Sequence, residues 1–184
     1  MLSNSDIELL IIEGSLRVVS KESVTLRPGS ICLHLASEVM VFDLPCQPVD
    51  LLNSSTYPQL VSKKICDVDG YVLNPGGFVL AGTVEKVGLS EDIGGQLSNL
   101  SGLARLGLNV LLSTHVAPGF GSKEPKAFTL EIHNVSPFSL ILKPGMRICH
   151  LILHRMNSSA SVGYDELMVD KYTSGAPSGS EYMG

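Results

Sequence analysis

Phe128-Thr129-Leu130-Glu131-Ile132-His133 alternates apolar and polar side chains. A period of two predicts a strand with Phe128, Leu130 and Ile132 on one face and Thr129, Glu131 and His133 on the other. Glutamate disfavours both strands and burial. Either that face is simply wet, or Glu131 is a carboxylate that lines a pocket and takes up a proton. A second island reads Ser101-Gly102-Leu103-Ala104-Arg105-Leu106-Gly107. Ser101 is expected to cap a short helix, with Arg105 one turn later on the same side. A hydroxyl and a guanidinium so placed can grip phosphate oxygens. Taken alone, these residues fit an ordinary helix start with a solvated arginine better.

Metal chemistry finds little support. His34, His115, His133, His150 and His154 form no H-E-x-x-H site. A zinc-dependent nucleobase deaminase needs H-x-E followed by P-C-x-x-C. Here Pro45-Cys46 is followed by Gln47-Pro48-Val49, and no zinc site is expected. Cys32, Cys46, Cys66 and Cys149 form no C-x-x-C pair. With no basic-then-apolar stretch at the N-terminus to suggest secretion, free thiols are expected.

The elements that must position these residues are mostly strands. Ser5-Asp6-Ile7-Glu8 reads as a capping box, with Ile7, Leu10 and Ile11 on one helical face and Gly14 as the stop. After this helix, short apolar stretches predict strands at Ile31–Leu35, Val39–Phe42, Phe78–Val84, Asn109–Leu112, Phe128–His133, Ser139–Leu142 and Ile148–His154. Arg27-Pro28-Gly29, Asn74-Pro75-Gly76-Gly77 and Lys143-Pro144-Gly145 are turn signals between them. Many short strands with regular turns predict a β-sandwich or barrel-like fold. From about Thr173 the chain is rich in Gly, Ser and Pro, which predicts one β domain over 1–172 and a flexible tail over 173–184.

Composition narrows the function classes. The 184 residues are 44% hydrophobic and 17% charged, and the mean hydropathy is +0.26. Surface hidden against sister subunits is one expectation from so apolar a chain. No apolar run approaches the roughly 18 residues of a membrane span, so a cytoplasmic protein is expected. A net charge of −5 argues against duplex nucleic acid, which calls for a basic stripe. A nucleotide remains compatible, since a few arginines and lysines can hold its phosphates.

The order of the islands carries more than any one of them. Ser101-Gly-Leu-Ala-Arg-Leu-Gly-Leu108 precedes Ala117-Pro-Gly-Phe120. Thr129-Leu-Glu-Ile132 with Asn134 follows, then Leu142-Lys-Pro-Gly-Met-Arg-Ile148. This resembles the dCTP deaminase family of the dUTP pyrophosphatase superfamily, which reads R-S-S-L-A-R-L-G-L, I-D-P-G-(F/W), T-L-E-(L/F)-x-N and L-x-P-G-M-x-I-G in that order. The Ser5-Asp-Ile7 helix, Pro28-Gly-Ser30 before a strand, Val162-Gly-Tyr164 and Lys171-Tyr172 extend the likeness over nearly the whole chain.

The resemblance implies a mainly β fold: a distorted jelly roll, barrel-like and of the dUTPase type. It carries a short N-terminal helix and a short helix near 99–106. It implies a homotrimer with sites between subunits, and zinc-independent conversion of dCTP to dUTP and ammonia. In that reading Glu131 takes a proton from water, and the hydroxide attacks C4 of cytosine. Ser101 and Arg105 reach in from the neighbouring subunit. His115, Ala117, Phe120, Tyr164 and Lys171 lie against the nucleotide, and Mg²⁺ arrives with the triphosphate. Some family positions differ. Leu100 stands for the arginine before S-S, Gly102 for the second serine, and Ala117 for the aspartate of I-D-P-G. Cys32 and His34 stand for the Asp and Arg of V-D-L-R-L, and extra residues occupy about Ser122–Lys126. Two further readings follow: a non-catalytic scaffold that binds nucleotide or regulates, and a dUTP pyrophosphatase. Ala117 counts against the latter.

Overall fold

Helix α1 (Asn4–Glu13) opens the chain and ends at Gly14. In the computed structural model, which describes residues 1–21, 23–168 and 177–182, its cap is Ser3 rather than Ser5. The Asp6 amide donates to Ser3 Oγ at 3.2 Å, and the Ser3 amide donates to Asp6 Oδ2 at 2.8 Å. The capping box therefore lies two residues earlier than expected. The backbone explains this: the Leu2 amide donates to the Leu153 carbonyl and the Asn4 amide to that of Pro28. The chain must turn into the helix between these two ties. Ile7 and Leu10 are buried as the periodicity predicts, whereas Ile11 stays 36% exposed.

The rest is a curled, mainly antiparallel sheet. Its strands are β1 (Leu16–Val19), β2 (Thr25–Arg27), β3 (Ser30–Phe42), β4 (Leu60–Lys64), β5 (Tyr71–Leu73), β6 (Phe78–Leu89) and β7 (Ile93–Asn99). After helix α2 (Ser101–Ala104) come β8 (Leu108–Asn109), β9 (His115–Val116), β10 (Lys126–Asn134), β11 (Leu140–Leu142) and β12 (Arg147–Arg155), then helix α3 (Tyr164–Leu167). The strand order is β8-β10-β6-β3-β12-β7-β9, with β1 on β6 and both β2 and β4 on β3; β11 and β5 form a separate pair. β3 serves two layers. Its first half pairs with β2 and β12, its second with β4 and β6, and the register shifts between Leu35 and Val39. The two strands expected at 31–35 and 39–42 are thus one long strand that bends and changes partners.

The layers enclose one aliphatic core that includes Leu33, Leu35, Val79, Ala81, Leu130, Ile132, Leu151 and Leu153, all at most 1% exposed. Each large aliphatic side chain so buried contributes about 1.5–3 kcal/mol. Cys32 and Cys149 are buried, Cys46 and Cys66 are exposed, and all four are free. Burial pushes the Cys149 thiol up to about 12, which makes it a packing residue rather than a nucleophile. Among the described residues, no helix is long and apolar enough to cross a membrane.

Candidate active site

Glu131 lies on the outward face of β10, whose burial alternates as the sequence predicts: Phe128, Leu130, Ile132 and Asn134 in, Thr129, Glu131 and His133 partly out. A bulge between Ala127 and Thr129 re-aims this face. Thr83 holds the bulge, accepting from the Phe128 amide at 3.0 Å and donating to the Glu85 carbonyl at 2.8 Å. Glu131 Oε2 accepts from the Leu112 and Ser113 amides at 3.1 and 3.3 Å. Those amides are free to do so because the strand expected over 109–112 stops at Asn109. The Asn99 and Asn109 side-chain oxygens take the Val110 and Leu111 amides, and the chain leaves the sheet.

The carboxylate faces a cavity of about 510 Å³. His115, Ala117, Phe120 and Tyr164 line it, as do Ser113, Lys126, Thr129, Phe42, Phe78 and the segment Ser178–Ser180. Two aromatic groups contribute to its wall. Phe120 stacks on Phe128 at 4.9 Å between centroids and meets Tyr164 at 5.6 Å, while Phe42 stacks on Phe78 at 5.6 Å. Glycine is required at the turn that sets Phe120. Gly119 and Gly121 have φ of 78° and 64°, and a Cβ on them would lie 2.6 Å from Gly163 Cα and 2.2 Å from the Val87 carbonyl oxygen.

The same turn seats α3. The Tyr164 amide donates to the Pro118 carbonyl at 2.9 Å. Asp165, 4% exposed, accepts from the Gly121 and Lys123 amides at 3.2 and 3.1 Å and from Lys126 Nζ at 2.8 Å. Burial alone would push its carboxyl up, but Lys126 and the two amides overcome this and hold it below the ordinary value. The extra residues at 122–126 thus clasp the C-terminal segment and keep Tyr164 over the cavity.

Glu131, His115, Ala117, Phe120 and Tyr164 therefore converge. Ser101 and Arg105 do not: both are exposed on and just after α2 and do not line this cavity. The expected Ser101 cap is also absent. Leu100 is the N-cap, without a side-chain hydrogen bond, because the backbone already turns there and Ser101 is the first helical residue. Lys171 and the 172/173 boundary lie outside the described residues. Sequence reasoning missed Lys126, Asp165 and Glu85. Glu85 is 3% exposed, accepts from the His34 amide at 2.9 Å and lies 2.6 Å from His34 Nδ1. An acidic residue in the mostly apolar β6 was the available signal for it. Among the described residues, no three His, Cys, Asp or Glu side chains form a metal cluster.

A family model described as dCTP deaminase-like matches residues 1–156. A relative named dCTP deaminase, dUMP-forming, from Mycobacterium avium is 32% identical over 196 residues, covering 100% of this chain and 90% of its own. Its name denotes an enzyme that forms dUMP, whereas the resemblance above implies dUTP. The crystal structure of 2′-deoxycytidine 5′-triphosphate deaminase from Agrobacterium tumefaciens superposes with a TM-score of 0.61 at 17% identity. It covers 84% of this chain, which spans about half (48%) of that one. The native dUTPase of EIAV superposes with a TM-score of 0.51 at 12% identity, covering 82% and 97%. These two show the shared fold, the distorted jelly roll that the sequence leads one to expect.

Proposed function

Because this chain belongs to the dCTP deaminase-like family, we propose that it deaminates dCTP at Glu131 and releases dUMP, as its relatives are named. The overall change is dCTP plus two waters to dUMP, ammonia and pyrophosphate. The observation that carries the reading is the Glu131 carboxylate, held by two amides on the wall of a cavity that also gathers His115, Ala117, Phe120 and Tyr164. One carboxylate oxygen is fixed by the amides and the other is left to meet water. Glu131 takes a proton from that water, the new C4–O bond forms, and the proton passes on to the leaving amino group as the C4–N bond breaks, while the water's second proton ends on N3 and leaves C4 as a carbonyl. The aromatic wall takes the base. Tyr164, with the tail residues 178–180, closes over the nucleotide. Lys171 belongs to the same closing segment in this reading. Mg²⁺ arrives on the triphosphate, held by phosphate oxygens and water.

Ser101 and Arg105 act across a subunit boundary in this reading, and the assembly is a homotrimer. Their exposure, apart from the Glu131 cavity, supports it: one chain alone leaves the phosphate-gripping pair and the base separated. The test is ammonia and pyrophosphate release from dCTP with Mg²⁺. Glu131→Gln should lower ammonia release by about 10²–10⁴-fold while the oligomer, read by light scattering, is unchanged. Unaltered turnover removes Glu131 from the chemistry. Ammonia without pyrophosphate rejects dUMP as the product.

A further inference from the structure

A second cavity, of about 460 Å³, shares no lining residue with the first. It lies where the Arg27–Ser30 turn meets β12 and the start of α2. Arg27 and Arg147 line it together with Ser30, Cys32, His150 and Leu100, and no carboxylate does. Neither guanidinium has a hydrogen bond or ion pair among the described residues. Glu85, the carboxylate felt at Cys32, is already engaged by His34. Two arginines without a partner among the described residues thus line one hollow, on a protein whose net charge is −5. Both are exposed and solvated, and an anion that enters the hollow meets two guanidinium forks at once.

The sheet, rather than a loose loop, sets the spacing. Arg27 pairs with Ser30, Cys32 with His150, and Arg147 with His34 across adjacent strands. Ser30 is buried, and its Oγ lies 3.1 Å from His150 Nδ1. Burial first, then the two arginines, lowers the pKa of His150, so the ring is neutral near pH 7 and the positive charge belongs to the guanidiniums. Leu100, which lines the wall, immediately precedes Ser101. At that position the motif that this chain resembles reads arginine. The guanidinium fork is the side chain best matched to phosphate oxygens.

We propose that this cavity is a polyphosphate cradle in which Arg27 and Arg147 take over the charge that Leu100 lacks. The identity of the polyphosphate, the triphosphate of the nucleotide, rests on the function proposed above; the affinity for inorganic triphosphate does not.

The experiment is calorimetric titration of the full chain with inorganic triphosphate plus Mg²⁺, inorganic phosphate, dCTP and deoxycytidine. Arg27→Gln and Arg147→Gln should each weaken triphosphate and dCTP binding roughly 10- to 100-fold. Deoxycytidine binding should be unchanged, and lysine at either position should restore part of the loss. Arg155→Gln, which removes an exposed arginine paired with Asp92, should have no effect. Thermal melts check that each variant is folded. Wild-type affinity for triphosphate in the Arg27→Gln/Arg147→Gln variant overturns the proposal, as does a wild-type chain that ignores triphosphate. If phosphate alone binds as tightly as triphosphate and does not compete with dCTP, the cavity is not the nucleotide's cradle. If triphosphate binds through both arginines but dCTP yields no ammonia, the cradle stands and the deaminase reading falls.

Discussion

Replacing Asp165 with alanine should break its tie to Lys126, 39 residues away in sequence, and loosen the active-site wall. Asp165 is the common acceptor for the Gly121 and Lys123 amides and for Lys126 Nζ. The side chains of the ion pair are only 2% and 15% exposed. Removing one partner of a buried pair strands the other, at a cost of about 3–5 kcal/mol. Lys126 keeps some access to water, so the loss should fall near the lower end, about 3 kcal/mol. Asp165→Asn should lose clearly less, because its amide oxygen still accepts from the backbone. Lys126→Met in the alanine background should recover stability by removing the stranded charge. Urea denaturation measures all three. Hydrogen exchange at Gly121 and Lys123 shows whether the damage is local. Since Tyr164 lines the cavity and immediately precedes Asp165 in the chain, KM for dCTP should rise more than kcat falls. An Asp165→Ala protein within about 0.5 kcal/mol of wild type, with both amides still protected, would refute the reasoning.

The same clasp predicts an acid dependence. The Asp165 carboxyl is held below its ordinary value, so its contribution is complete above about pH 4 and lost as the pH falls through the lower folded-state value. Urea midpoints measured below pH 4 should therefore fall more steeply for wild type than for Asp165→Asn. Gly121→Ala should cost at least about 2 kcal/mol, since it combines a left-handed backbone with a Cβ 2.2 Å from the Val87 carbonyl oxygen; a denaturation midpoint near wild type would contradict this. Thr83→Val should cost about 1–3 kcal/mol by leaving the buried Phe128 amide without an acceptor, and ammonia release should fall with it as the bulge beneath Glu131 relaxes.

Much of the fold is local and was legible. The alternation along Phe128–His133 and the turns at Asn74–Gly77 and Lys143–Gly145 follow from side-chain period and backbone preference alone. β7 was not legible. Its Gly94, Gly95, Ser98 and Asn99 carry no strand preference, and it exists because β12 and β9 pair with it on either side. The capping box slipped by two residues because the ties of Leu2 to Leu153 and of Asn4 to Pro28 are long-range and outweigh the local signal.

The sequence by itself determined that Glu131 faces away from the core, because a period of two is set by the pleat of a single strand. It also determined the family, through the order of motifs whose spacing survives within one chain. Only the tertiary structure decided what Glu131 meets. The amides of Leu112 and Ser113 reach it because two asparagines divert the backbone, and Lys126 and Asp165 meet because the turn at Gly119–Gly121 lets α3 approach. The separation of Ser101 and Arg105 from Glu131 is likewise a three-dimensional fact. Which residues share a cavity depends on how the sheet curls, and curling sums the twists and bends of many strands that no single stretch of sequence records.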